Sequence, residues 1–432
     1  MLESDVGAVL TACNGGRDRQ LVARKFAIMR TGPFPFLRGS CPLFYRAWPA
    51  TPVLDSAPVA WISGDLHVEN FGCFKGDNGL TYFDLNDFDE AVLAPATWDT
   101  ARLLTSILVS APTMGLNAPD AKALARVALA AYAAELRLAK PRWIERQTAR
   151  GIVRDLLAQT GRRTRSQLLD RYTRRKGRRR YLVPDDRRVT AITDNNDRKR
   201  MERIVHAIAD ASPEASFFNV IDIAHRIAGN GALGVRRYVA LVEGYGSPDH
   251  NALIDIKQEL PSSVAPWSPV AQPMWHSEGE RVCAIQHRAQ AVSPALLRPA
   301  LDAHDSFVIH ELQPTADRMD LQAWVARPRK LRAAIEMFAR LAAWAQVRTA
   351  GWHGAASVDA WLDFGGRNDW HKPLFERARA GAAQNARDYK SFSALYDAKA
   401  FEGLVRERPA RQTDEIEGDV TYATRQPRAR AT

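Results

Sequence analysis

Between residues 62 and 104 the chain mixes two kinds of residue that rarely share a short segment. It reads ISGDLHVENFGCFKGDNGLTYFDLNDFDEAVLAPATWDTARLL, two apolar, strand-like runs around a glycine-bearing turn at Gly76 and Gly79. Asp65, His67 and Asn70 sit at the first run, and Asp84, Asn86, Asp87, Asp89 and Glu90 at the second. A carboxylate beside buried strand residues is costly unless it meets a cation or hydrogen-bond donors. The fold must therefore gather these groups around a shared partner. That points to a metal-and-phosphate site rather than a solvated loop.

A second feature lies far downstream. Gly229-Asn-Gly231-Ala-Leu-Gly234-Val235 fits GxGxxGV, a weak pattern until its surroundings are read. A dinucleotide fingerprint runs strand, glycines, helix. Here the turn is followed by RRYVALVEG and then NALIDIKQE, and three strands are expected at about 220–228, 235–243 and 252–258. Strand, glycine turn, strand is the arrangement of a kinase loop that covers nucleotide phosphates. Glycine lets the backbone lie against phosphates without a Cβ in the way. Lys257, in the apolar strand LIDIKQE, is expected to neutralise the α- and β-phosphates. The alternative is a strand-edge lysine facing solvent. The acid that holds it is expected to be Glu280, near the start of a helix over 280–292, with Glu259 on the same strand as the alternative.

Phosphoryl transfer needs an orienting carboxylate for the acceptor hydroxyl and oxygen ligands for a cation. GDLHVEN offers Asp65 and, five residues on, Asn70; Asp84 follows in YFDLND. With FDLNDFDEA and WDTARL, GDLHVEN resembles the H-G-D-x-H-x-x-N and I-D-F/W motifs of aminoglycoside phosphotransferases and related small-molecule kinases. FPFLRG, GDLHVENFG, FDLNDFDEA, WDTARL, the glycine turn and the IKQE strand also resemble a bacterial family known only as a domain of unknown function within the protein-kinase-like group. They follow its order through about two thirds of the chain.

The resemblance implies an α+β, two-lobed, protein-kinase-like fold with a small antiparallel β lobe and a mainly helical large lobe. It implies that Asp65 is the catalytic acid/base, with Asn70 and Asp84 as Mg²⁺ ligands and ATP as the phosphate donor. It makes Gly229, Gly231, Gly234 and Lys257 nucleotide-binding, Asp99 a structural tie from the catalytic loop to the next helix, and His67 a support of the loop. Asp87 and Asp89 match the family without an assigned role. In ordinary kinases the glycine loop and lysine precede the catalytic loop. Here the order is reversed, which implies a circular permutation in which the helix over 330–350 leads into the catalytic loop. Two departures are Ser63, where many relatives have His before Gly-Asp, and Gln346, where a histidine is expected.

The expected organisation is a large-lobe part over 1–214, a small nucleotide-binding lobe over 215–315, completing helices over 316–404 and a disordered tail over 405–432. Helices are expected over 1–30, within 98–139, over 198–210, and as short pieces over 371–400. GPFPFLRG is expected to break the first, because proline removes a donor and fixes φ. Its Arg38 faces either solvent or an inward anion. The formal charge of +11 is local: residues 142–203 hold 20 Lys/Arg and 8 Asp/Glu. This segment reads as a basic helical insertion with a solvated face. Arginines over 162–180 also offer a polyanion or nucleic-acid patch, although only Tyr172 and Tyr181 could stack on bases. The four cysteines form no CxxC pair, which fits reduced thiols. The acidic N-terminus lacks secretory-signal character, so a cytoplasmic protein without a membrane span is expected.

These readings converge on a Mg²⁺–ATP phosphotransferase acting on a hydroxylated small molecule. A catalytically weak kinase-like scaffold for nucleotide or polyanion is the alternative. A metallophosphoesterase fits less well, since Asp65-x-His67 lacks the further histidine motifs of that class.

Overall fold

Short runs rich in β-branched and aromatic residues form twelve strands among the described residues: β1 Val59–Ile62, β2 Phe71–Lys75, β3 Thr81–Leu85, β4 Val92–Pro95, β5 Thr173–Lys176, β6 Arg179–Leu182, β7 Val189–Ala191, β8 Val220–Arg226, β9 Arg237–Val242, β10 Ala252–Glu259, β11 Arg298–Asp302 and β12 Asp305–Glu311. The computed structural model describes residues 5–405, apart from Asp186, Ala211, Asn230, His304 and residues 315–326. The polar tail expected beyond residue 405 lies outside them. With fifteen α-helices among the described residues, the arrangement is mixed α+β.

Six strands form one antiparallel sheet in the order β11-β12-β10-β9-β8-β7. Both faces of this sheet are covered. Successive side chains on a strand point to opposite faces. Tyr238, Ala240 and Val242 of β9 pack with Met201, Ile204 and Val205 of the helix Asn195–Asp210. Val239 and Leu241 pack with Leu169, Tyr172 and Leu182 from the basic segment.

The larger core joins residues from 34–157 to residues from 264–378. Its acidic hairpin, β2–β3, pairs Gly72 with Asp84 and Cys73 with Phe83. Phe71 stacks on Phe338 of the helix Pro328–Arg348, with ring centroids 4.2 Å apart. Full burial of such a ring contributes about 1.5–3 kcal/mol. The helix Thr97–Ser110 is buried on almost every side, polar positions included. A third cluster joins the helices Val6–Asn14 and Arg19–Arg30 to the helix His371–Asp397 through Leu10, Val22, Phe26 and Phe392.

Three expectations change. The basic segment is not all helix: after the helices Gly151–Arg162 and Arg165–Tyr172 it forms the β5–β6 hairpin. Gly177 turns that hairpin at φ +62°, a conformation suited to a two-residue loop. Within residues 371–400 there is one 27-residue helix, His371–Asp397, rather than short pieces. The helix expected over 1–30 is two, Val6–Asn14 and Arg19–Arg30; GPFPFLRG ends the second as expected and itself carries a short helix, Pro33–Gly39. Its prolines lie in the first turn, where a missing N–H breaks no intrahelical bond. No helix among the described residues is long and apolar enough to cross a membrane.

Candidate active site

The loop after β1 is held open by buried hydrogen bonds. Gly64 has φ +78°, and a Cβ there would run into the carbonyl of Glu90, so glycine is required. Asp99 accepts from Ser63 N at 2.7 Å and Gly64 N at 3.0 Å. Burial pushes its carboxyl up to about 6, against those hydrogen bonds. Asp65 follows at the cavity wall. Arg102, fully buried, donates Nε to Asp65 Oδ1 at 2.8 Å and Nη2 to the same oxygen, and Nη2 also reaches Leu37 O at 2.9 Å. Burial raises the Asp65 pKa, and Arg102 opposes the shift. Asn70 donates Nδ2 to Asp65 O at 3.1 Å, which closes the loop. His67 Nδ1 accepts from Glu69 N at 3.2 Å, and its ring lies edge-on to Phe34.

The opposite wall is β10. Lys257 Nζ forms an ion pair with Asp89 and lies 3.4 Å from Glu259 Oε1. Burial alone would raise the Asp89 pKa, but the ammonium overrides it and holds the carboxyl at about 2. Lys257 is shifted up by the same acids, against its own burial. Two more ties fix the walls. Glu90 accepts from Ser263 N at 2.6 Å and from the Ser262 and Ser263 hydroxyls. Arg281, on the helix Glu278–Ala289, donates to Asp89 O at 2.8 Å and Ala91 O at 2.6 Å.

Between the walls lies a cavity of about 560 Å³. Asp65, Asn70, Asp87, Asp89 and Lys257 line it, as do Gly229 and Gly231. A Cβ on Gly231 would lie 3.1 Å from Arg38 O and 3.9 Å from Asp65 Oδ2, so the turn descends onto the Asp65 loop. Gly234 packs instead against Arg17 and Val22 and does not line the cavity. Arg38 lines the cavity and pairs with Glu69; it does not face open solvent. Arg17 Nη1 donates to Gly231 O at 2.9 Å, and Lys25 also lines the cavity.

Two further residues expected here are elsewhere. Asp84 is not a cavity residue. Its carboxylate accepts from Leu85 N at 2.9 Å and Ala291 N at 3.2 Å and lies 3.6 Å from Arg348 Nη1. It sits within β3 opposite Gly72, and these contacts hold its carboxylate outside the lining of the cleft. Asp87 and Asp89, on the loop beyond β3, occupy the cleft in its stead. Glu280 does not hold Lys257 either; it accepts from His276 N at 2.9 Å at its own helix start. The neighbouring Arg281 does the tying. Gln346 accepts from Tyr132 Oη at 2.6 Å and donates to Ala96 O at 3.1 Å, a structural bridge outside the cavity.

Oxygen donors for a hard cation are present at Asn70 and Asp87, and cations for anionic groups at Lys257, Arg17 and Lys25. A family model described as "Uncharacterized protein conserved in bacteria (DUF2252)" matches residues 17–395. No curated protein and no solved structure matches the chain.

Proposed function

The chain belongs to the DUF2252 family, and we propose that its cleft is the active site of a phosphotransferase that uses Mg²⁺ and ATP. The Lys257–Asp89 ion pair carries the reading. It joins the lysine strand to the loop after β3, so that the glycine turn, the lysine and the Asp65 loop share one cavity.

The residues present fit both groups. Arg38 Nε is buried without a partner, which favours an anionic ligand. Gly231 leaves space that any side chain would fill. Asn70 uses its NH₂ group on Asp65 O, which leaves its side-chain oxygen to join Asp87 around Mg²⁺. One or two protein ligands completed by phosphate oxygens and water is the usual arrangement for this ion. Bound there, Mg²⁺ and ATP would supply a transferable phosphoryl group with its charge partly neutralised.

The chain's own part is orientation and proton transfer. Arg102 occupies Asp65 Oδ1 with two donors and leaves Oδ2 toward Gly231 and the cavity. Oδ2 accepts the proton of the acceptor hydroxyl. A carboxyl raised by burial is a better base than one in water. Lys257 exchanges part of its contact with Asp89 for the nucleotide's phosphates. On this reading β8–β12 and the helix Glu278–Ala289 are the small lobe of a circularly permuted kinase-like fold, with the lysine on its third strand. The acid that holds the lysine then comes from the loop 86–90 rather than from the helix.

Calorimetric titration of the full chain with Mg²⁺–ATP tests the reading. Lys257→Met should weaken binding at least about tenfold, the loss of one charge-assisted contact. Asp65→Asn should still bind and lose at least about 10²-fold in phosphoryl transfer. A wild-type melting temperature unmoved by millimolar Mg²⁺–ATP overturns the proposal.

A further inference from the structure

The helices Val6–Asn14 and Arg19–Arg30 and the turn between them line part of the cavity and carry two cations, Arg17 and Lys25, that the transfer chemistry does not use. Lys25 is 3% exposed and lines the cavity. It lies on the buried stripe of its helix with Val22, Phe26 and Met29. Its ammonium donates to Asn14 Oδ1 at 2.8 Å, and Asn14 Nδ2 in turn donates to Leu10 O at 2.7 Å. The asparagine is thus fixed with its oxygen toward the lysine. One of three protons has a neutral partner, and among the described residues no carboxylate forms an ion pair with Lys25.

The acids around it are committed elsewhere. Asp65 serves Arg102, Glu69 pairs with Arg38, and Glu90 accepts from Ser262 and Ser263. Arg17 adds a second positive charge, with Nη1 on Gly231 O and a buried, unpartnered Nε. A buried ammonium beside a guanidinium and without a counter-ion is expensive. Burial and then Arg17 push the Lys25 pKa down to about 7, against Glu90, Cys13 and Asp65.

We propose that this part of the cavity is an oxyanion subsite, where Lys25 and Arg17 hold a carboxylate, phosphate or sulfate group of the phosphate acceptor. The inference rests on the phosphotransferase reading and narrows its substrate to an anionic hydroxy compound. The cations of the cavity are tied to different partners. Lys257 pairs with Asp89 and Glu259, whereas Arg17 donates to Gly231 O, and Gly231 faces Asp65 Oδ2. A hydroxyl at the Asp65 carboxylate therefore leaves the acceptor's other end to Arg17 and Lys25, and the nucleotide's phosphates to Lys257. A cationic aminosugar would meet the wrong charge here.

The test uses the full chain and sodium sulfate, whose charge is constant near neutrality. Lys25 of the wild type is labelled with cyanate and followed by mass spectrometry, a measurement that needs no variant to fold. Sulfate should slow labelling at least about tenfold, and at lower concentration near pH 6 than above pH 8, because the ammonium is the binding form. Lys25→Met and Arg17→Met should each weaken calorimetric sulfate binding about tenfold, and Lys25→Met should keep Mg²⁺–ATP affinity within about threefold. Labelling indifferent to sulfate overturns the proposal. So does protection by Mg²⁺–ATP alone that equals that by sulfate, which would make Lys25 a nucleotide contact. If the wild type binds no Mg²⁺–ATP while sulfate still protects, the phosphotransferase reading and the acceptor's role fall but the oxyanion site stands.

Discussion

Lysine and arginine are concentrated in two places, and burial treats them in opposite ways. On the β5–β6 hairpin Arg174, Arg175, Lys176, Arg178 and Arg179 are exposed, and only Arg180 is buried among them. In the cleft, Lys25, Arg102 and Lys257 are all buried, and each is fixed by one or a few partners. The hairpin holds much of the net charge, but solvent and salt screen it. The cleft adds little to the charge count, yet desolvation makes each of its cations consequential. Charge density along the sequence therefore points to the region where a substitution matters least.

Eight substitutions grade that contrast. Lys257→Met should have the largest effect, because it removes the cation that keeps the half-buried Asp89 carboxylate charged. Breaking this pair costs up to about 3 kcal/mol, the low end for a buried pair because Asp89 keeps some solvent, read by urea unfolding. Lys25 should show itself through pH. The unfolded chain keeps this lysine protonated up to about 10.5, while the folded chain releases the proton near 7. The unfolded state thus binds more protons between those values, and wild-type stability should climb with a slope approaching about 1.4 kcal/mol per pH unit. In Lys25→Met that component should vanish; an unchanged slope would place Lys25 with the solvated cations. Arg180→Ala should cost about 1–3 kcal/mol, since its guanidinium meets Pro248 O at 2.6 Å, Asp170 at 2.6 Å and Asp249 at 3.0 Å. Changing Arg174, Arg175, Lys176, Arg178 and Arg179 singly to Gln should each shift stability by less than about 0.5 kcal/mol. Mg²⁺–ATP affinity should stay within about twofold in the same variants. A large loss at the hairpin tip would break the comparison outright.

The strands around the glycine turn were legible because short alternating runs are bounded by turn formers, and β8, β9 and β10 lie within two residues of the spans read from the pattern. The β5–β6 hairpin was not legible. Arginine-rich strands have no strong intrinsic preference, and these are pinned by tertiary contacts through Tyr172 and Leu182. In the site, the residues on loops were easier to read than those at strand ends. Asp84 and Asp87 are three positions apart in one acidic run, and only the end of β3 at Leu85 decides which one reaches the cleft. Loop residues just past a strand are the better bet for a site. Lys25 left a signal that went unread: it falls three residues after Val22 and one before Phe26, inside an apolar stripe. Arg102 left a similar one, three residues after Asp99 in a helix with almost no polar face.

The stack of Phe71 on Phe338 bears on how the protein is made. The hairpin that supports the Asp65 loop leaves the ribosome roughly 270 residues before its covering ring, a delay on the order of 15–50 s at usual synthesis rates. Throughout that interval an apolar strand edge is present without the helix that covers it, and for roughly two thirds of it the run of carboxylates is present without its lysine. Early native structure would have to form within the N-terminal half alone, and truncations short of the helix Pro328–Arg348 should expose β2 and aggregate rather than yield a smaller folded protein.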